Sequence, residues 1–249
     1  MDICWLEQSE CDVPSGDWWL SESERGLLES MRIPKRRADW RLGRWTAKQG
    51  ISAYLSLPRI QRVLAAVELR PAPSGSPEVF LHGRAAPLQL SLSHSRGVGL
   101  CAIAPAETGV GCDLETVEPR TPVFVADYFT AQEQELVAET PVAERDQVLT
   151  LLWSIKESAL KVLRCGLRAD TRSVNTAPGG LLRPDGEDWR PVSAAHIGGM
   201  KFCGWWRVSR DLVRTIVADR APVRLIALQP GAQGRGPVSQ KVTDQELRP

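Results

Sequence analysis

Val98-Gly-Leu-Cys-Ala-Ile-Ala104, a short turn and Gly109-Val-Gly-Cys-Asp-Leu-Glu115 read as two successive strands. The pattern returns in Leu212-Val-Arg-Thr-Ile-Val-Ala218, a short turn and Val223-Arg-Leu-Ile-Ala-Leu228. Each pair closes a half of the chain that begins with helical patterns. This predicts an α+β fold of two similar subdomains, each with helices packed on an antiparallel sheet and with the active groups at their junction. The division places one subdomain at 1–110 and the other at 111–228. The Gly-, Gln- and Pro-rich stretch 229–249 is expected to be a disordered tail.

Working outward, residues 1–20 look extended. Ser21 is placed to cap a helix through Met31, with Glu24 as its capping-box partner. Further helices are expected over Lys35–Leu55 and Ile60–Leu69, followed by a loop at Pro71–Pro77. Strands follow near Val79–Leu81, Leu88–Leu92, Val98–Ala104 and Val110–Glu115. The second half predicts helices near Thr130–Glu139 and Asp146–Arg164, with Gly166 as a stop. Its strands fall near Trp189–Val192, Phe202–Val208, Leu212–Val217 and Val223–Leu228.

Chemistry concentrates in two segments. Strand alternation puts Gly111, Asp113 and Glu115 on one face, with the two carboxylates roughly 7 Å apart. Like charges so close raise each other's pKa unless a cation lies between them. In Trp153-Ser-Ile-Lys156-Glu157-Ser-Ala-Leu-Lys161, Glu157 and Lys161 stand at i and i+4 on a helix, with Lys156 beside them. Three carboxylates suit a hard divalent cation, and lysines suit phosphate oxygens. Singly, each motif reads as ordinary surface; together they point to metal-assisted chemistry on a phosphate ester or anhydride.

Arg37, Arg41, Arg44 and Lys48 form one stripe on the second helix, able to grip a phosphate or simply to face water. Ser93, His94 and Ser95 end an alternating strand, where Ser93 and His94 could hydrogen-bond a phosphate. Gly97-Val-Gly99-Leu-Cys-Ala102 leads into a strand rather than a helix, so a dinucleotide fingerprint is not supported. There is no G-x-S-x-G elbow and no phosphate-binding P-loop.

The whole chain sets the frame. Its 249 residues allow one large domain or two ordinary ones, and the net charge of +1 selects neither nucleic acid nor membrane. No apolar run reaches spanning length and no signal pattern opens the chain. The six scattered cysteines form no zinc pattern and read as the reduced thiols of a cytoplasmic protein. A polyanion binder using the Arg/Lys stripe is disfavoured by the near-neutral charge.

With these pieces in order, the chain resembles the 4′-phosphopantetheinyl transferases of the surfactin-synthetase-activating type. The resemblance rests on the basic helix Arg37–Lys48, Ser93-His94-Ser95, Gly111-Cys-Asp113-Leu-Glu115 and Trp153–Lys161. Cys112 stands where the family usually has Ile or Val, and Gly83-Arg84-Ala-Ala-Pro87 where many members have Gly-Lys-Pro. The resemblance implies a pseudo-dimer of two subdomains, with coenzyme A in the cleft. It implies transfer of the phosphopantetheine arm to a serine of an apo acyl or peptidyl carrier protein, with release of 3′,5′-ADP. Asp113, Glu115 and Glu157 would hold Mg²⁺. Lys161 would hold the pyrophosphate, with Lys156 beside it as phosphate ligand or proton relay. Glu157, directly or through a water, is the implied base, although which group takes the proton stays open. Arg37, Arg44, Arg84, Ser93 and His94 would bind the 3′-phosphate and adenine end. The expected enzyme is a monomer; the alternative is a non-catalytic regulator binding coenzyme A or a nucleotide on the same scaffold.

Overall fold

The computed structural model describes residues 1–165, 168–177, 186–222 and 224–229. The first half runs β1 (Asp2–Ser9), α1 (Glu22–Ser30), α2 (Pro34–Tyr54), α3 (Gln61–Ala66), β2 (Val67–Pro71), β3 (Pro77–Leu81), β4 (Arg84–Ala85), β5 (Leu88–Ser95), β6 (Val98–Pro105) and β7 (Val110–Thr116). The second runs α4 (Pro122–Tyr128), α5 (Ala131–Glu139), α6 (Arg145–Val162), β8 (Val174–Ala177), β9 (Gly186–His196), β10 (Lys201–Ser209), β11 (Leu212–Ala218) and β12 (Arg224–Ala227). Gly166 and most of 229–249 lie outside the described residues. Among those described, no helix is long and apolar enough to cross a membrane.

Two capping boxes start the short helices. Ser21 Oγ accepts from the Glu24 amide and the Glu24 carboxylate accepts from the Ser21 amide, opening α1 as the sequence predicts. Thr130 and Glu133 do the same for α5. Each of these glutamates then reaches a lysine on the following long helix. Glu24 Oε2 lies 2.6 Å from Lys48 Nζ, and Glu133 Oε2 lies 2.8 Å from Lys156 Nζ. Both ammonium groups are fully buried and each also donates to two main-chain carbonyls. Lys48 bonds Trp19 and Leu64 at 3.0 and 2.8 Å; Lys156 bonds Thr171 and Val174 at 3.0 and 2.5 Å. The free oxygen of each carboxylate takes an amide from the next strand, Leu69 of β2 or Thr176 of β8. Both halves therefore close the same lock between short helix, long helix and strand.

The strands assemble in the orders β12-β1-β6-β5, β7-β11-β10-β9-β8 and β2-β3-β4. Neither β6–β7 nor β11–β12 is a hairpin. β6 stays in the first sheet and β7 crosses to pair with β11; β11 stays in the second and β12 crosses to pair with β1. The β1–β12 pairing is parallel, so the first sheet is mixed rather than antiparallel as expected. The boundary at 110/111 likewise does not separate the sheets, because β12 completes the first. The helix expected over Ile60–Leu69 stops at Ala66. Val67 and Leu69 alternate inward as strand β2, which no helical face could do. The helix α4 gave no reading in the sequence.

Among the described residues four apolar clusters form the core, one of them Trp19, Leu20, Leu28 and Leu64 under α1. Ala47 and Ile51 of α2 pack on Leu6, Cys101 and Ile103. Ile3, Leu100 and Ala102 meet Cys112, Leu114 and Ile216 between the sheets. Leu152, Ile155 and Ala159 of α6 pack on Phe202, Val213 and Val217. The adjacent Trp205 and Trp206 serve different cores: Trp206 faces α6 and Trp205 the level between the sheets, as strand alternation requires. All six cysteines are free thiols.

Candidate active site

The site forms where α6 lies on β7. Gly111 makes that approach possible: a Cβ there would stand 1.9 Å from the Ser158 carbonyl oxygen, so only glycine fits. Ser154 and Ser158 seat the helix further, each sharing a hydrogen bond with Thr215 of β11. Trp153, Glu157 and Lys161 then form one stripe at i, i+4 and i+8 facing the Asp113–Glu115 side of β7.

Lys161 bridges helix and strand. Its ammonium donates to Asp113 Oδ1 at 2.8 Å and to the Cys112 carbonyl at 2.9 Å. Burial is the largest single influence and pulls its pKa down, but Asp113, Cys112 and Glu157 together outweigh it and the net shift is upward. Asp113 Oδ1 also accepts from Ser93 Oγ at 2.9 Å. Glu115 accepts from Trp153 Nε1 at 3.3 Å and meets Arg120 at 3.5 Å. Burial, reinforced by Asp113 and Glu157, pushes the Glu115 carboxyl up to about 7 against the pull of Arg120 and Trp153. Burial and then Asp113 raise Glu157 as well, with Lys161 opposing.

Two buried carboxylate oxygens in this cluster, Asp113 Oδ2 and Glu157 Oε1, have no hydrogen-bond partner. Such groups are costly to bury unpaired, and three acids around them raise the cost. A divalent cation suits that donor set. As they stand, no three acidic, His or Cys side chains among the described residues are grouped to hold a metal ion. Glu115 is instead turned to Trp153 and Arg120, so a cation there requires this carboxylate to rotate.

The other expected site residues divide. Lys156 does not join the cluster. It precedes Glu157 by one residue, and neighbouring positions are about 100° apart around a helix; Lys156 therefore faces α5 and is held by Glu133. The basic stripe is largely engaged within the first half: Lys48 is buried and the three arginines are half-buried. Arg37 donates to the carbonyls of Leu28 and Met31, and Arg41 pairs with Asp17. Arg44 lies 3.6 Å from Glu24 and stacks over Trp40, while Lys48 is locked to Glu24. The acids that neutralise the stripe come from other elements, which no helical pattern reveals. Arg84 and His94 are exposed. Ser93 lies inside β5 rather than at its end and touches Asp113. Trp153 and Arg120, the two groups that orient Glu115, were not singled out for that task; the i, i+4 spacing of Trp153 to Glu157 was the available signal for the first.

Residues 109–208 match the family model described as the 4′-phosphopantetheinyl transferase superfamily. The curated 4′-phosphopantetheinyl transferase HetI of Nostoc sp. (strain PCC 7120) is 24% identical over 213 residues, covering 80% of this chain and 86% of that protein. A crystal structure of Helicobacter pylori holo-[acyl-carrier-protein] synthase in complex with coenzyme A aligns with a TM-score of 0.29 at 15% identity. It covers 41% of this chain and 98% of that one. The matched region 109–208 holds all three carboxylates and Lys161, and on these matches the chain is an enzyme of the 4′-phosphopantetheinyl transferase type.

Proposed function

We propose that the protein transfers the 4′-phosphopantetheine arm of coenzyme A to a serine of an apo acyl or peptidyl carrier protein, with Mg²⁺, releasing 3′,5′-ADP. The observation that carries this is that Asp113 is bridged to Lys161 beside Glu157 and Glu115, with one buried oxygen of Asp113 and one of Glu157 lacking partners. Asp113, Glu115 and Glu157 would hold the cation, which when bound neutralises charge on the pyrophosphate. Lys161 would hold a pyrophosphate oxygen while keeping Asp113 in place. The carrier serine oxygen forms the new bond to phosphorus as the bond to the 3′,5′-ADP oxygen breaks. Glu157, whose pKa is raised, is suited to take the serine proton. Arg84 and His94, exposed on the first half, are the proposed contacts of the 3′-phosphate end; Arg37 and Arg44 are committed inside the first half. The matched locks of the two halves support the pseudo-dimer arrangement, and the relative's name supports the carrier as partner.

The test is intact-mass spectrometry of apo carrier proteins incubated with this protein, coenzyme A and Mg²⁺. A gain of one phosphopantetheine mass that disappears with EDTA is expected. No gain across fatty-acid, polyketide and peptide-synthetase carriers, with coenzyme A still bound, would instead favour a binding regulator.

The acidic cluster also sets a pH dependence. Glu115 titrates at about 7 in the fold against an ordinary value of 4.5. A raised folded pKa means the folded state binds the proton more tightly. Its stabilisation is complete below the unfolded pKa and is lost as pH rises through about 7. Metal-free protein is therefore expected to lose stability between about pH 5 and 8, and Mg²⁺ to restore it at the upper end. Urea unfolding across this range, with and without Mg²⁺, measures both; a metal-free profile that rises with pH would contradict the assignment.

A further inference from the structure

β5 of the first sheet and β7 of the second run side by side in the same direction, yet no backbone ladder joins them. Three serine hydroxyls at alternate positions of β5 take its place. Ser91 Oγ accepts from the Cys112 amide at 2.9 Å and Ser93 Oγ from the Leu114 amide at 3.1 Å, while Ser95 Oγ shares a hydrogen bond with Thr116 Oγ1 at 3.0 Å. A strand places every second side chain on one face, so Ser-x-Ser-x-Ser is the pattern such a seam needs.

Ser93 differs from its neighbours in where its proton goes. Having accepted from Leu114, its hydroxyl donates to Asp113 Oδ1 at 2.9 Å. A hydroxyl has one proton, and this one is used. Together with Lys161, Ser93 saturates Oδ1 and fixes the carboxylate plane, leaving Oδ2 as the atom without a partner. We propose that Ser93 is a positioning residue for the transfer: it aims Asp113 Oδ2 at the cation rather than binding the 3′-phosphate of coenzyme A. The assignment rests on the proposed function. Hydrogen-bond partners behind a metal ligand typically change metal affinity or activity about 10–100-fold when removed.

The experiment uses the full chain and its Ser93→Ala, Ser93→Thr and Ser91→Ala variants. Mn²⁺ binding is titrated by electron paramagnetic resonance without coenzyme A, and kcat and KM are measured with coenzyme A and with dephospho-coenzyme A, which lacks the 3′-phosphate. Ser93→Ala is expected to weaken Mn²⁺ binding about 10–100-fold and to lower kcat alike with both donors, and Ser93→Thr to restore most of each. Ser91→Ala, which cuts the seam without touching Asp113, is expected to cost stability and leave Mn²⁺ affinity unchanged. Unchanged Mn²⁺ affinity in Ser93→Ala, with a rise in KM for coenzyme A alone, would assign Ser93 to the 3′-phosphate and overturn the proposal. Equal loss of Mn²⁺ affinity in Ser91→Ala would also overturn it, by showing that the seam as a whole sets the site. Should Ser93→Ala fail to fold, Ser93→Cys keeps the size with a weaker donor and gives the same reading. Wild-type transfer is the control: its absence defeats the proposed function and this assignment with it, whereas transfer with an unaltered Ser93→Ala defeats the assignment alone.

Discussion

Lys156→Met is expected to destabilise the protein severely rather than to leave a folded, slow enzyme. The lysine is fully buried, its ammonium is shared between Glu133 and the carbonyls of Thr171 and Val174, and Glu133 itself is 2% exposed. Burial alone lowers the lysine pKa, and Glu133 opposes that shift. Removing one partner of a buried ion pair strands the other charge and typically costs about 3–5 kcal/mol. Single domains are stable by only about 5–15 kcal/mol, so the loss is a large share of the total. Replacing both partners with apolar residues of similar size is expected to recover much of the loss, because no charge is then left unpaired. Equilibrium urea unfolding of Lys156→Met and of the double variant Lys156→Met/Glu133→Leu measures this. A single variant that melts like the parent but transfers slowly would return Lys156 to the chemistry.

Glu157→Gln is expected to do the opposite: keep the fold and stop the reaction. The substitution preserves size and removes one negative charge from a crowded cluster in which Glu157 Oε1 has no partner. Metal-free stability should hold or rise, since the penalty of burying that charge disappears. Loss of a general base alone typically costs about 10²–10⁴-fold, and loss of a cation ligand adds to it. Initial rates of carrier modification by mass spectrometry, beside a thermal melt, test both parts. Turnover near that of the parent would remove Glu157 from the mechanism.

These two neighbours on one helix show what the sequence could and could not disclose. The stripe Glu157–Lys161 and its facing strand are local patterns, and helix and strand periods alone place them. The direction of Lys156 depends on Glu133, which lies in another element, and no local period reports it. The same holds for Arg44 and Lys48, whose partner Glu24 arrives from α1. One long-range signal was nevertheless present. Trp45-Thr-Ala-Lys48-Gln49 repeats as Trp153-Ser-Ile-Lys156-Glu157, and Cys4-Trp5-Leu6-Glu7 as Cys112-Asp113-Leu114-Glu115, with equal spacing between the fragments in each half. Read as a duplication, it marks Lys48 and Lys156 as common to both halves and therefore structural. It also shows where the halves part: Trp5, Gln49 and Ala53 stand in the first where Asp113, Glu157 and Lys161 stand in the second.

The crossing of β7 and β12 has a consequence for how the molecule is made. During synthesis the first sheet waits with the edge of β1 uncovered until Arg224–Ala227 leave the ribosome, because that strand is its missing border. The early half therefore carries an open, pairing-competent edge while the segments between β1 and β12 are made, and joining Asp2 to Arg224 closes a loop of nearly the whole described chain. The nascent first half thus depends on β12 to shield it, and the interval before that strand arrives is when association between growing chains is most favoured.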